Sequence, residues 1–176
     1  MEDIREIIKR DRGLIKRFQA FLPGYKKYRN TEDLRTADAI LRKELAAQLE
    51  KIERDIQDGR KHSASRMDME LLEPWGELLN LSHTVTEKVR HAEHGYAPWI
   101  SGDVRVEEEE LSELYDYDMA LFHYLERLQG MSKQISEPVD GTGETQRMIK
   151  DLSDALREFE EVFDSRLSRV KKTART

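Results

Sequence analysis

Apolar residues recur along this chain with the period of an α-helix, at about 100° per residue, and split it into five helical segments. In the first, Ile4, Ile7, Ile8, Leu14, Ile15, Phe18, Phe21 and Leu22 share one face. Arg5, Lys9, Arg12, Lys16 and Arg17 fall opposite. Pro23-Gly24 ends that helix near Leu22, because proline lacks the amide a helix needs. Tyr25 to Tyr28 reads as a short turn. Asn30 or Thr31 suits the N-cap of a second helix, with Glu32 and Asp33 at its positive end. Leu34, Ala37, Leu41, Leu45, Gln48, Ile52 and Ile56 form its inward stripe, and Gly59 is expected to stop it. Residues 59–65 then form a polar loop.

A third helix is expected from about Arg66 to Glu93, opened by a capping box of Ser65 and Asp68. Leu71, Trp75, Leu78, Val85, Val89 and Ala92 face inward. Pro74 marks either a kink or a fresh helix start. Residues 94–106 are the longest non-helical stretch, yet hold Tyr96, Trp99 and Ile100, which predicts a crossover packed on the protein. The fourth helix runs from about Glu107 to Gly130, with Leu111, Leu114, Tyr115, Leu121, Phe122 and Leu125 inward. Ser136 to Gly143 is a break. Thr142 caps a fifth helix with Ile149, Leu152, Leu156, Phe159, Phe163, Leu167 and Val170 inward. Residues 1–170 read as one domain and 171–176 as a frayed basic tail. The stripes are wider than a heptad seam. The expected fold is therefore an all-α antiparallel bundle of four or five helices rather than a two-stranded coiled coil.

Composition agrees with this reading. Leu, Ile, Val and Phe supply 41 of 176 residues, enough for a lean core, and 38% of the residues are charged. No cysteine is present, which removes disulfides, thiol catalysis and thiolate metal sites. No apolar run approaches the roughly 20 residues a membrane span needs, and the start is too charged for a signal peptide. A cytoplasmic protein is expected.

Two stretches, 23–50 and 94–128, are similar to a family of uncharacterised prokaryotic all-helical proteins. The resemblance rests on Pro23, Gly24, Tyr25, Tyr28, Arg35, Asp38, Leu41 and Arg42, then on Gly95, Tyr96, Ala97, Leu114, Tyr115, Tyr117 and Asp118. With the intervening helix it spans about two-thirds of the chain. It implies a single all-helical domain. That family has no assigned activity, so the resemblance supplies no catalytic residue.

The candidate chemistry lies in acidic residues on apolar stripes. Asp11 falls within the first helix's apolar face, Asp118 near the centre of the fourth's, and Asp38 on the edge of the second's. A buried carboxylate needs a partner. Arg35 and Arg42 are nearby, the latter four residues from Asp38, and Tyr25, Tyr28, Tyr115 and Tyr117 offer hydroxyls. The plain expectation is structural pairing. The alternative is an interior site for a ligand or metal, lined by Asp38, Arg42, Asp118 and Tyr96 near His91 and His94. A di-metal carboxylate bundle needs Glu-x-x-His motifs, and this chain has none. No metal ligand set, cofactor or catalytic residue is expected. Phosphate-loop, dinucleotide and nucleophile-elbow signatures are missing too.

Charge is uneven. Arg5 to Arg29 holds nine basic and two acidic residues, and Asp103 to Asp118 eight acidic and one basic. Arg166 to Arg175 adds five basic groups, which read as part of the tail. The acidic total and the lack of a binding motif argue against nucleic acid. The basic first helix admits a peripheral membrane role as a secondary alternative. Basic and acidic segments also suit complementary faces within one chain or across a homo-oligomer. Leu81 and Ile100 lack an obvious home. The leading expectation is a non-enzymatic interaction or assembly module acting through helix faces on a protein partner or another copy of itself.

Overall fold

The computed structural model describes residue 11 and residues 13–23, 34–92 and 108–173, without the side chains of 34–36, 108–112 and 170–173. Outside these fall the caps at Asn30 and Thr31, the turn at Tyr25, the Arg35 side chain, the acidic run 107–110, and the 94–106 stretch with His94, Tyr96 and Ile100.

The described residues form α1 (Leu14–Phe21), α2 (Leu34–Ser65), a 3-10 turn (Met69–Leu71), α3 (Leu72–His91), α4 (Glu108–Ser136) and α5 (Thr142–Thr173). There is no strand among them. The all-α bundle is thus the observed fold. Around the ring the neighbours are α2, α3, α5 and α4, and α1 lies on the outside against α4.

From α2 onward consecutive helices are antiparallel, but the two hairpins, α2–α3 and α4–α5, stand side by side with their helices aligned. Gln129 donates to Gln48, Ser132 to Asp55, and Gly59 meets Ile135, so α2 and α4 run parallel. Thr142 lies by Asp68 and Lys88 reaches Glu160 and Asp164, so α3 and α5 do as well. The bundle therefore has a tip, formed by the α2–α3 and α4–α5 turns, and an opposite end.

Burial follows the expected stripes. Leu41, Leu45, Leu49, Ile52 and Ile56 of α2, Trp75, Leu78, Val85 and Val89 of α3, Leu121, Leu125 and Leu128 of α4, and Leu152, Leu156, Phe159 and Phe163 of α5 share one core. Phe18 of α1 joins it, its ring edge-on to Tyr115 with centroids 5.7 Å apart. Trp75 is fully enclosed, and its indole N–H donates to Ser63 Oγ at 3.0 Å, which satisfies the one polar atom of the ring.

Several expected boundaries move. Gly59 does not stop α2, which runs on to Ser65. A Cβ at Gly59 would lie 2.3 Å from the Ile135 carbonyl oxygen and 2.6 Å from the Trp75 ring. This glycine is a point of close helix contact inside α2 rather than its end. Gly130 likewise lies inside α4, which continues to Ser136. The capping box is absent. Ser65 instead turns its hydroxyl back to the His62 carbonyl at 2.7 Å. The third helix begins at Leu72, so Pro74 falls in its first turn, where the missing amide costs nothing. Thr142 opens α5, but its hydroxyl meets Asp68 at 3.4 Å, while Gly141 supplies a left-handed residue just before it. Leu81 packs against the core, whereas Ile15, expected inward, is 41% exposed.

Candidate functional site

Three arrangements could carry function. The first is buried at the end of the bundle opposite the tip. Asp38, Arg42, Asp118 and Arg166 have side chains 1–5% exposed. Arg42 Nε donates to Asp38 Oδ2 at 2.6 Å, one helical turn away. Arg166 divides its guanidinium between Asp118, through Nε, and Asp38, through Nη1. Arg42 Nη1 donates to the Arg90 carbonyl of α3 at 3.3 Å. The cluster thereby ties all four bundle helices together. Among the described residues two positive and two negative charges meet here, and pairing of this kind offsets the cost of keeping ions out of water.

The expected pairing of Asp38 with Arg42 is present, and Asp118 is inward as its position on the wheel implies. Its arginine comes from an unexpected place. Arg166 reads in sequence as the start of a basic tail, but sits on the stripe of Phe159 and Phe163, seven residues after the first. Of the four residues considered for an interior site, Asp38, Arg42 and Asp118 come together and Tyr96 lies outside the described residues. Both carboxylates already face guanidinium groups, so the cluster has the chemistry of a closed latch.

The second arrangement joins α1 to α4. Asp11 lies ahead of α1 rather than on its apolar face, and accepts from the Gly13 amide at 3.0 Å. Arg17 bridges Asp11 at 2.5 Å and Glu126 at 2.7 Å. Its hydrogen bonds to Glu126 and Asp11 hold the guanidinium charged. The hydrogen bond from Arg17 in turn holds the Asp11 carboxyl below the ordinary range. His123 completes a group that could offer one nitrogen and two carboxylate oxygens to a metal, all within 4.8 Å of one another. Arg17 occupies the position between those carboxylates that a cation would take. His91 pairs with Glu87 at 3.1 Å and is exposed.

The third arrangement is the tip. Met67 is 82% exposed, Met69 70% and Leu72 38%. Met67 adopts φ 60°, a left-handed conformation that costs a side-chain-bearing residue about 1 kcal/mol. Arg66 donates to the Val139 carbonyl and Thr142 meets Asp68, so both turns form one surface. Within residues 66–73 and 137–144 there are six acidic residues and one basic, Arg66, which is paired with Asp68 at 3.3 Å. Glu70, Glu73, Glu137, Asp140 and Glu144 are exposed around the methionines. Composition and periodicity could not single out this apolar knob, because both methionines read as part of an expected helix start.

No family model, curated protein or solved structure matches this chain. No helix of the described residues is long and apolar enough to cross a membrane.

Proposed function

We propose that this chain is a non-catalytic protein–protein interaction module that docks through the tip of its bundle. The observation that carries the reading is the exposure of Met67 and Met69 on a turn held in a costly conformation. Flexible, polarisable methionine side chains suit a surface that must fit a partner. An apolar cluster rimmed by charge is the usual form of such a surface. A cytoplasmic setting is part of the proposal, in keeping with a chain that has no cysteine.

An interior ligand site has less support, because Asp38 and Asp118 are already met by arginines. A membrane surface reached through the first helix has less support as well, because Arg17 of α1 is already paired with Asp11 and Glu126, and the acidic tip is repelled by anionic lipid.

The test is a photoreactive amino acid at position 69 in living host cells, with one at exposed position 161 as the control. Position 69 is expected to crosslink to a discrete protein and position 161 is not. Equal labelling at both positions, or none at position 69, would refute the docking reading.

A further inference from the structure

The chain has six methionines and no cysteine, so every sulfur atom in it is a thioether. Among the described residues these sulfurs fall into two sets. Met119 is 3% exposed, and Met131 and Met148 pack against the core. Met67 and Met69 are 82% and 70% exposed, two residues apart at the tip. The turn that carries them is fixed. The Met67 amide donates to the Ala64 carbonyl at 3.1 Å and the Asp68 amide to the Ser63 carbonyl at 3.2 Å, the paired bonds that close a helix C-terminus around a left-handed residue. Glycine is the usual residue at that position. Here it is Met67, the most exposed of the large apolar side chains described. We propose that Met67 and Met69 form a reversible oxidation site: a peroxide converts their thioethers to sulfoxides and thereby disables the tip. This rests on the docking reading above and supplies its regulation.

Access decides where the chemistry happens. A thioether sulfur gives an electron pair to one oxygen of the peroxide. The S–O bond forms, the O–O bond breaks, and the second oxygen leaves as water with both peroxide hydrogens. Sulfur is oxidised by two electrons and the peroxide is reduced by two. Hydrogen peroxide is uncharged, so the acidic rim does not hold it off. The product is a polar, chiral group in place of a flexible apolar one. In water that group is solvated, and neither side chain belongs to the core, so the fold loses little. Under a docked partner the same group lacks a hydrogen-bond partner, and each buried sulfoxide is expected to weaken docking about tenfold. Sulfoxide reductases return the thioether, one enzyme for each epimer.

The first measurement is peptide mapping by mass spectrometry of the folded full chain during exposure to hydrogen peroxide at neutral pH. Met67 and Met69 are expected to gain one oxygen each at least about fivefold faster than Met119, with circular dichroism unchanged. The second is capture in host cells from a photoreactive residue at exposed position 70, which leaves both methionines in place, before and after a peroxide pulse. Wild type is expected to lose about tenfold in capture and to recover it as the sulfoxides are reduced. Met67→Leu/Met69→Leu, apolar but resistant to oxidation, is expected to capture equally before and after. Oxidation at the tip no faster than at Met119, or full capture by an oxidised tip, would overturn the inference. So would an equal loss in the leucine variant, which would place the sensitive group on the partner. An untreated chain that captures nothing from position 69 or 70 would refute docking and its regulation together, while the peptide map would still assign the oxidation site.

Discussion

Arg166 of α5 meets Asp38 of α2 across the diagonal of the bundle, 128 positions away in the chain, while its Nε holds Asp118 of α4. One guanidinium thus fixes three helices that do not all touch as neighbours. Taking it away strips a counter-charge from buried carboxylates. Arg166→Met is therefore expected to cost about 3–5 kcal/mol in urea unfolding. Adding Asp118→Leu removes one of those charges and is expected to recover part of the loss. A double variant less stable than Arg166→Met alone would contradict this account of the latch.

Gly59 and Gly130 both lie inside helices, with opposite surroundings. A Cβ at Gly59 would run into the Ile135 carbonyl and Trp75, and one at Gly130 meets nothing within 4 Å. Gly59→Ala is expected to destabilise by about 1–3 kcal/mol, as overpacking does, despite its better helix propensity. Gly130→Ala is expected to stabilise by up to about 1 kcal/mol. Paired thermal melts of the two variants check the signs.

Ser82 is fully buried, and its hydroxyl finds no hydrogen-bond partner among the described residues. Ser82→Ala is expected to be neutral or to stabilise by about 1 kcal/mol, because it removes an unmet polar group. Ser63→Ala is expected to cost about 1–3 kcal/mol, because it leaves the Trp75 indole N–H without its acceptor. Equal losses at both serines would mean that Ser82 has a partner after all.

Asp11 titrates below the ordinary carboxylate value because Arg17 hydrogen bonds to it. A lowered folded-state pKa stabilises the fold above the unfolded value, near 3.8, and that contribution is lost as pH falls through the folded value. The stability gap between wild type and Asp11→Asn should therefore be constant near neutrality and close below about pH 4. Urea midpoints at several pH values measure it. A gap that widens in acid would contradict the pairing. The effect is small, because Arg17 is 44% exposed and solvent screens the pair.

The order of the described helices was legible from apolar periodicity alone, as was the neighbour Arg42 for Asp38 four residues on. The remaining features depend on what lies across space. Arg166 looks like one of several basic residues near the C-terminus until the stripe of Phe159 and Phe163 is followed one more heptad. Gly59 looks like a helix stop because local sequence carries no sign that a second helix passes within contact. Ser65 and Asp68 fit a capping pattern, but the chain reverses between them through Met67, whose left-handed backbone no residue preference announces.

That backbone links stability to docking. Met67→Gly relieves the left-handed strain and is expected to stabilise the fold by up to about 1 kcal/mol while weakening capture at the tip. Chemical denaturation and crosslinking from position 69 read the two effects separately. Loss of stability would contradict the strain, and unchanged capture would contradict a docking role for this side chain.

The most direct test of the account compares the surface with the interior. Partner capture in host cells, read by crosslinking at position 69, would be measured for Met67→Gly and for the latch variant Arg166→Met/Asp118→Leu, each confirmed folded. The account predicts that the tip variant captures less partner than wild type while the latch variant captures as much. Full capture by the tip variant together with loss in the folded latch variant would contradict it, and would place function in the charged interior.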